Sequence, residues 1–413
     1  MGDAFKVVVW IAIPVCMAAS LVWLLRFTQI LFHWNHTTIR LCDQTDEAPE
    51  SGWPSLSVIF AARNEQAEIE KAARSLLAQD YPRLQLIAVD DRSTDATGSI
   101  LDQLQAEDTK LTVVHVRELP SGWLGKNHAL HMAAQTTDAE WLLFTDADVV
   151  FAPQALQRAV AFAEREKLDH LTVIPEMPTD QIGERIFMSV FGLLFALHSP
   201  LWLVTNPKRR QHLGIGAFNL VRATAFRAID GFERIALSVD DDMQLGKSLK
   251  WAGFRSCGIR GDSAVSVRWH VGIGGMIRGL EKNFFAGLGY SLFMAAFAIG
   301  VLLTLCCGPH VGLFVGPWWS RCICAAGLAA MCFIVRNSMR QSRVGWQYGL
   351  LTPLGAIANI VALIRSVWLT MARGGVLWRD HLYRLADLRR HVRERNAWQK
   401  QKWKTRAATT LRL

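Results

Sequence analysis

From Val7 to Leu25 the chain is apolar and carries no charge, and a run of that length can cross a hydrocarbon layer about 30 Å thick. Such a segment needs either a bilayer or a large apolar core. Arg26 and Arg40 follow it and no clear small-x-small cleavage site ends it, so residues 1–30 are expected to be a retained transmembrane anchor and not a removed signal peptide. Three more apolar segments of spanning length come late, at Phe284 to Cys307, Val311 to Val335 and Leu350 to Met371. The chain has 413 residues and is 51% hydrophobic, which leaves a catalytic domain of roughly 200 to 250 residues between membrane regions.

Arg336, Arg340 and Arg343 lie between the second and third late segments and place that loop in the cytoplasm. Three crossings would then separate the domain from the tail, and Pro353 and Arg365 interrupt the last segment. Residues 284–371 are therefore expected to include a re-entrant or interfacial helix. Ile186 to Val204 is also apolar but is broken by His198 and Pro200, so residues 186–204 are expected to lie on the membrane as an acceptor-side helix. Residues 372–413 read as a basic cytoplasmic tail. From Arg373 to Leu413, twelve Lys and Arg face three Asp and Glu, which accounts for the net charge of +9. With Trp378, Trp398 and Trp403, this composition suits an anionic membrane surface and argues against nucleic acid as a partner. Eight cysteines show no CxxC pair, and Cys306, Cys307, Cys322, Cys324 and Cys332 fall in apolar stretches. They read as small buried hydrophobes.

Between the membrane regions, residues 50–283 alternate short apolar runs with amphipathic stretches. Leu56 to Ala61, Leu84 to Val89, Leu111 to Val116 and Trp141 to Thr145 read as strands, and Glu65 to Leu77 as a helix. This alternation predicts an α/β domain with a mostly parallel, Rossmann-like sheet, with ligands at the carboxyl ends of the strands.

Five motifs sit at those ends. Ser57 to Glu65 runs from a strand into a loop whose backbone around Ala61, with Arg63 and Glu65, can meet a nucleotide. Asp90 and Asp91 are adjacent carboxylates that repel unless a base edge, a cation or water relieves them, and Asp95 reads as a helix cap. Asp146 and Asp148 form an Asp-x-Asp at a strand end, able to share one hard cation such as Mg²⁺ or Mn²⁺. Gly122-Trp-Leu-Gly125-Lys126 opens a helix, and it lacks P-loop spacing, so Lys126 is expected to meet phosphate or base oxygen without an ATPase fold. Asp240-Asp241-Asp242 would be a costly cluster without catalytic or binding duty.

Taken in order, these stretches resemble family 2 glycosyltransferases of the GT-A fold from about Ser55 to Arg260. Leu119 to Lys126, the late membrane segments and Gly375-Val-Leu-Trp378-Arg379 look like the hopanoid-associated and carotenoid (diaponeurosporenoate) members. The resemblance implies that Asp91 contacts the base of a nucleotide-sugar donor, that Asp148 meets the metal with Asp146 nearby, and that Asp242 is the catalytic base. Asp241 stands where the family usually has Glu. Processive members carry Gln-x-x-Arg-Trp; here Val265-Ser-Val-Arg268-Trp269 lacks the Gln, which argues against polymer synthesis. Arg268 would meet the diphosphate, and Trp269, Trp378 and Arg379 the acceptor side.

The expectation is an inverting transferase that moves a sugar, by family frequency from a UDP donor, to a lipid hydroxyl or carboxyl. It would be a multi-pass protein of the inner membrane with a cytoplasmic catalytic domain. The alternatives are a processive polysaccharide synthase and a non-catalytic nucleotide-sugar-binding membrane protein.

Overall fold

Ile59, Ile87, Val89, Leu142 and Phe144 face one apolar layer, and Val58, Phe60, Leu86, Ala88 and Leu143 face another. Strands covered on both faces read as unbroken apolar runs and favour parallel pairing. The computed structural model describes residues 2–379 and 381–410; the last three residues of the expected tail lie outside them. The chain divides into two compact units.

One unit comprises residues 38–177, 201–268 and 386–413. Its strands are β1 (Leu56–Ala62), β2 (Leu84–Asp91), β3 (Leu111–Val116), β4 (Trp141–Asp146), β5 (Val150–Phe151), β6 (His170–Glu176), β7 (Asn219–Arg222) and β8 (Ser256–Ser266). Among the described residues they form one sheet in the order β3-β2-β1-β4-β7-β6-β8-β5. The β3-β2-β1-β4 half is parallel throughout, while β7 runs antiparallel to both β4 and β6. This is a mostly parallel sheet, with strand order reversing outward from β1. Register sets Ala61 of β1 between Val89 of β2 and Asp146 of β4, so the acidic strand ends share one edge.

The expected basic tail is instead a helix, Leu385–Thr410, whose residues from 386 onward group with this sheet unit. Buried Arg395 donates to Ser238 Oγ at 2.8 Å and approaches Asp240 at 3.6 Å. Buried Gln399 reaches Gln244 and Ser248 at 3.2 and 3.0 Å. Trp403 packs beside Trp251, and Arg234 lies over Trp398. The charges and indoles assigned to a membrane surface are thus partly spent on protein contacts.

The other unit comprises residues 1–37, 178–200 and 269–385. Among the described residues, five segments are long and apolar enough to cross a membrane: Trp10–Phe32, Ile182–Thr205, Leu292–Gly312, Trp318–Ser338 and Trp346–Ala372. Small residues let the helices of this unit approach closely. Gly308 meets Ala19, Gly327 meets Ser20, and Gly355 meets the backbone of Ile186. Trp23 is buried and donates its indole N–H to the Leu305 carbonyl at 2.8 Å.

Two of the expected membrane segments take definite form here. Thr352–Ala372 is one continuous helix, because Pro353 occupies its first turn, where no backbone N–H is needed, and Arg365 pairs with Glu281 at 3.1 Å. The apolar stretch near 186–204 does break at Ser199 and Pro200, but its first part, Ile182–His198, buries Phe187, Met188, Val190 and Leu193 in the helix unit. It packs within the helix unit.

Candidate active site

Two loops at the sheet edge are laced together before any catalytic group is considered. The amides of Asn64, Glu65 and Gln66 donate to Ser93 Oγ, Thr97 Oγ1 and Asp95 at 3.1, 2.8 and 3.2 Å. Asn64 and Gln66 return the favour to the amides of Thr94 and Ala96. The loop after β1, carrying Arg63 and Glu65, is therefore fixed by the loop after β2.

The two adjacent carboxylates then part company, because successive strand residues face opposite ways. Asp90 accepts from the Ser93 amide at 3.2 Å and pairs with His115 Nδ1 at 3.0 Å. Asp90 and Asp102 hold the His115 imidazole above its usual range. One oxygen of Asp90 thus accepts from the turn and the other faces His115. Asp91 instead faces Gly125 at the start of the Gly125–Ala134 helix, and its carboxylate is bridged by Arg92 at 2.7 and 3.0 Å.

Lys126, next along that helix, joins the acidic groups. Its ammonium lies 2.6 Å from Asp146 and 3.5 Å from Asp241. Burial opposes the charge, yet Asp146, Asp241 and Asp242 together raise it well above the ordinary lysine range. Asp242 accepts from the Gly216 and Met243 amides, both at 2.7 Å. Burial first, then Asp241, push its carboxyl up to about 7, with Lys126 pulling the other way. Asp148 is pushed up to about 6 by burial and by the negative Asp146 and Glu65. Asp240 turns away from this cluster, bound by Gln244 at 2.7 Å and close to Arg395.

Asp146 and Asp148 supply hard oxygen donors in a region of concentrated negative charge, the environment that suits Mg²⁺ or Mn²⁺. No group of three His, Cys, Asp or Glu converges on one point among the described residues. A cation there would complete its shell with diphosphate oxygens and water, as hard cations at nucleotide sites do.

Sequence reading missed the loop Leu213-Gly214-Ile215-Gly216, although its Gly-x-Gly spacing before β7 was a usable signal. A Cβ on Gly214 would overlap the Asp242 carbonyl oxygen, and one on Gly216 would overlap the Asp146 carboxylate. The loop presses directly on the start of the Asp241–Ala252 helix and aims the Gly216 amide at Asp242. Gly214→Ala is expected to cost about 2–3 kcal/mol of stability through overpacking, read as a lower melting temperature of the solubilised chain; wild-type melting would contradict the packing described. A second missed residue is Asn127, buried and donating to the carbonyls of Ile235, Ala236 and Ser238 at 2.9, 3.2 and 3.0 Å, which fixes the turn that delivers Asp241.

The remaining expected site residues stand elsewhere. Arg268 follows β8, in the sheet unit. Trp269 packs on Phe191 and His270 in the helix unit, with ring centroids at 4.9 and 5.3 Å. Trp378 there receives the Lys282 ammonium 3.8 Å from its ring centroid, and Arg379 is exposed with φ +49°.

Residues 57–230 match Glycosyl transferase family 2. A 4,4'-diaponeurosporenoate glycosyltransferase of Staphylococcus haemolyticus is 24% identical over 284 residues, covering 68% of this chain and 70% of its own length. A beta-monoglucosyldiacylglycerol synthase of Nostoc sp. is 35% identical over 122 residues, 29% of this chain and 26% of that protein. A mannosyltransferase from Pyrobaculum calidifontis, solved with GDP-Man and Mn²⁺, is 16% identical and superimposes over 87% of this chain and 98% of its own with a TM-score of 0.47.

Proposed function

We propose that this chain, a glycosyltransferase whose residues 57–230 form a family 2 domain, transfers one sugar from a nucleoside diphosphate sugar to a membrane lipid with inversion at the anomeric carbon. The observation that carries the reading is the convergence of Lys126, Asp146, Asp241 and Asp242 at one sheet edge, with Asp148 two residues beyond Asp146. The relatives named for a carotenoid acid and for a diacylglycerol lipid, together with five segments of spanning length, support a lipid acceptor and a membrane location.

In this reading Asp91 and the laced loops after β1 and β2 receive the nucleoside. Asp146 and Asp148 would hold Mg²⁺ or Mn²⁺, which when bound offsets charge on the departing diphosphate. Lys126 adds a fixed positive charge at the same edge. Asp242 takes the proton from the acceptor hydroxyl as the oxygen attacks C1, and an acceptor carboxylate would need no such base. Arg268 closes on the diphosphate, and Trp269, Trp378 and Arg379 serve the acceptor side.

The test is labelled transfer by the detergent-solubilised chain, using a panel of UDP- and GDP-sugars with total membrane lipid. Label is expected in the lipid phase, and chelation with EDTA is expected to lower it by about 100-fold, restored by Mg²⁺ or Mn²⁺. Undiminished transfer in EDTA would remove the metal from the account.

A further inference from the structure

Within the sheet unit, the Leu385–Thr410 helix, from residue 386 onward, lies alongside the Asp241–Ala252 helix that begins with the acidic residues. The two touch at three heights. Near the start, Arg395 donates to Ser238 Oγ at 2.8 Å and its guanidinium stands 3.6 Å from Asp240. In the middle, Gln399 donates to Gln244 and Ser248, and Trp398 joins the apolar layer that holds Leu245 and Leu249. At the far end, Arg406 donates to the Lys250 carbonyl at 2.8 Å. The contacts advance together along both helices, so the helices run in the same direction. Satisfied buried polar contacts of this kind specify one register, where apolar area alone would tolerate several.

The first contact bears on the chemistry. Residues Ser238 to Asp240 form the turn that leads into the acidic helix, and the Asp240 carbonyl accepts from the Gln244 amide at 3.0 Å. The turn is gripped from two sides. On one, the Ser238 carbonyl accepts at 3.0 Å from Asn127, on the helix that carries Lys126. On the other, the Ser238 hydroxyl meets Arg395 and lies 3.2 Å from His391 Nε2. Burial first, then the Arg395 charge, push the His391 imidazole down to about 4, so at neutral pH the positive charge beside Ser238 is that of Arg395. Three adjacent carboxylates are thereby parted: Asp240 toward Arg395, Asp241 toward Lys126 at 3.5 Å, and Asp242 onto the Gly216 and Met243 amides. Loss of the guanidinium would leave Asp240 without that cation beside two like charges, and the Ser238 hydroxyl without a buried donor. The turn would shift, and Asp242 with it.

The geometry points to Arg395 as a positioning residue for the transfer reaction: through Ser238 and Asp240 it fixes the turn that delivers Asp241 and Asp242 to the site. This rests on the proposed reading of Asp242 as the base. It is tested on the full solubilised chain by steady-state transfer and by hydrogen exchange. Arg395→Met is expected to lower kcat on the order of tenfold and leave the donor KM within about twofold, because a displaced reacting group costs rate while the nucleoside contacts stay in place. Arg395→Lys keeps a charged donor on the same helix and is expected to recover most of that loss. Ser238→Ala should lower kcat as Arg395→Met does, and the two together should be no worse than either, since both break one link. In the chain without donor, the Met243 and Gln244 amides are expected to exchange about tenfold faster in Arg395→Met, with those of β1 and β2 unchanged. Wild-type kcat and exchange in Arg395→Met, or faster exchange spread over β1 and β2 with no recovery in Arg395→Lys, would overturn the inference. Absence of transfer by wild type would instead overturn the proposed function, and exchange at Met243 and Gln244 would still decide whether Arg395 holds the turn.

Discussion

Replacing Asp242 with Asn is expected to lower kcat for sugar transfer by about 10²- to 10⁴-fold, the usual contribution of a positioned general base, while donor affinity stays close to wild type. The substitution keeps the shape of the group but only one acceptor oxygen, so one of the Gly216 and Met243 amides loses its acceptor and the helix start adjusts locally. The same residue sets the pH profile. Burial and Asp241 place the Asp242 carboxyl at about 7 in the free protein, and a base works only when ionised. Wild-type kcat/KM is therefore expected to fall as pH drops below about 7, with a cation bound at Asp146 and Asp148 moving that limb lower because positive charge favours the carboxylate. The residual rate of the Asn variant should lack this limb. Transfer within tenfold of wild type, with the limb intact, would move the base assignment to Asp241.

Lys126→Met is expected to be the next most damaging change. It removes the ammonium that lies 2.6 Å from Asp146 and 3.5 Å from Asp241, leaving partly buried carboxylates facing one another. Breaking such a pair costs about 3 kcal/mol, a melting temperature lower by roughly 5–10 °C for a domain of this size. The sign of the pH effect follows from charge. Lys126 pulls Asp242 down, so without it the carboxyl rises further and the acid limb of kcat/KM moves to higher pH. Carboxyls raised above their unfolded values favour folding in their protonated state, so their stabilising contribution is lost as pH rises through the folded pKa. The variant should thus be weakest at neutral and alkaline pH and recover relative to wild type below about pH 6, the region set by Asp148 and Asp242. An unchanged melting curve and an unmoved limb would show that Lys126 is not coupled to these groups.

What could be read from the chain beforehand follows from how each signal is encoded. The strands β1, β2 and β4 were legible because each carries an apolar run buried on both faces, and Asp146 and Asp148 stand at the end of such a run. The partners of Asp90 and Asp91 were not, since His115 and Gly125 come from later elements. The Gly214-x-Gly216 loop shows its purpose only once the backbone of Asp242 is seen against it. The fold-back of the Leu385–Thr410 helix was hidden because its buried contacts are polar, Arg395 and Gln399, in a segment whose composition reads as solvent-exposed. Pro353 was read as an interruption when its position in the first turn makes it a helix start.

On the proposed reading the product is a singly glycosylated lipid. The most direct measurement is the intact mass of lipids extracted after the solubilised chain has been incubated with nucleotide sugar and membrane lipid. Expected is a lipid heavier by one glycosyl residue, formed only with donor and about 10²-fold or more scarcer with Asp242→Asn at equal time; label confined to a water-soluble polymer, or to free sugar released without any lipid product, would contradict it.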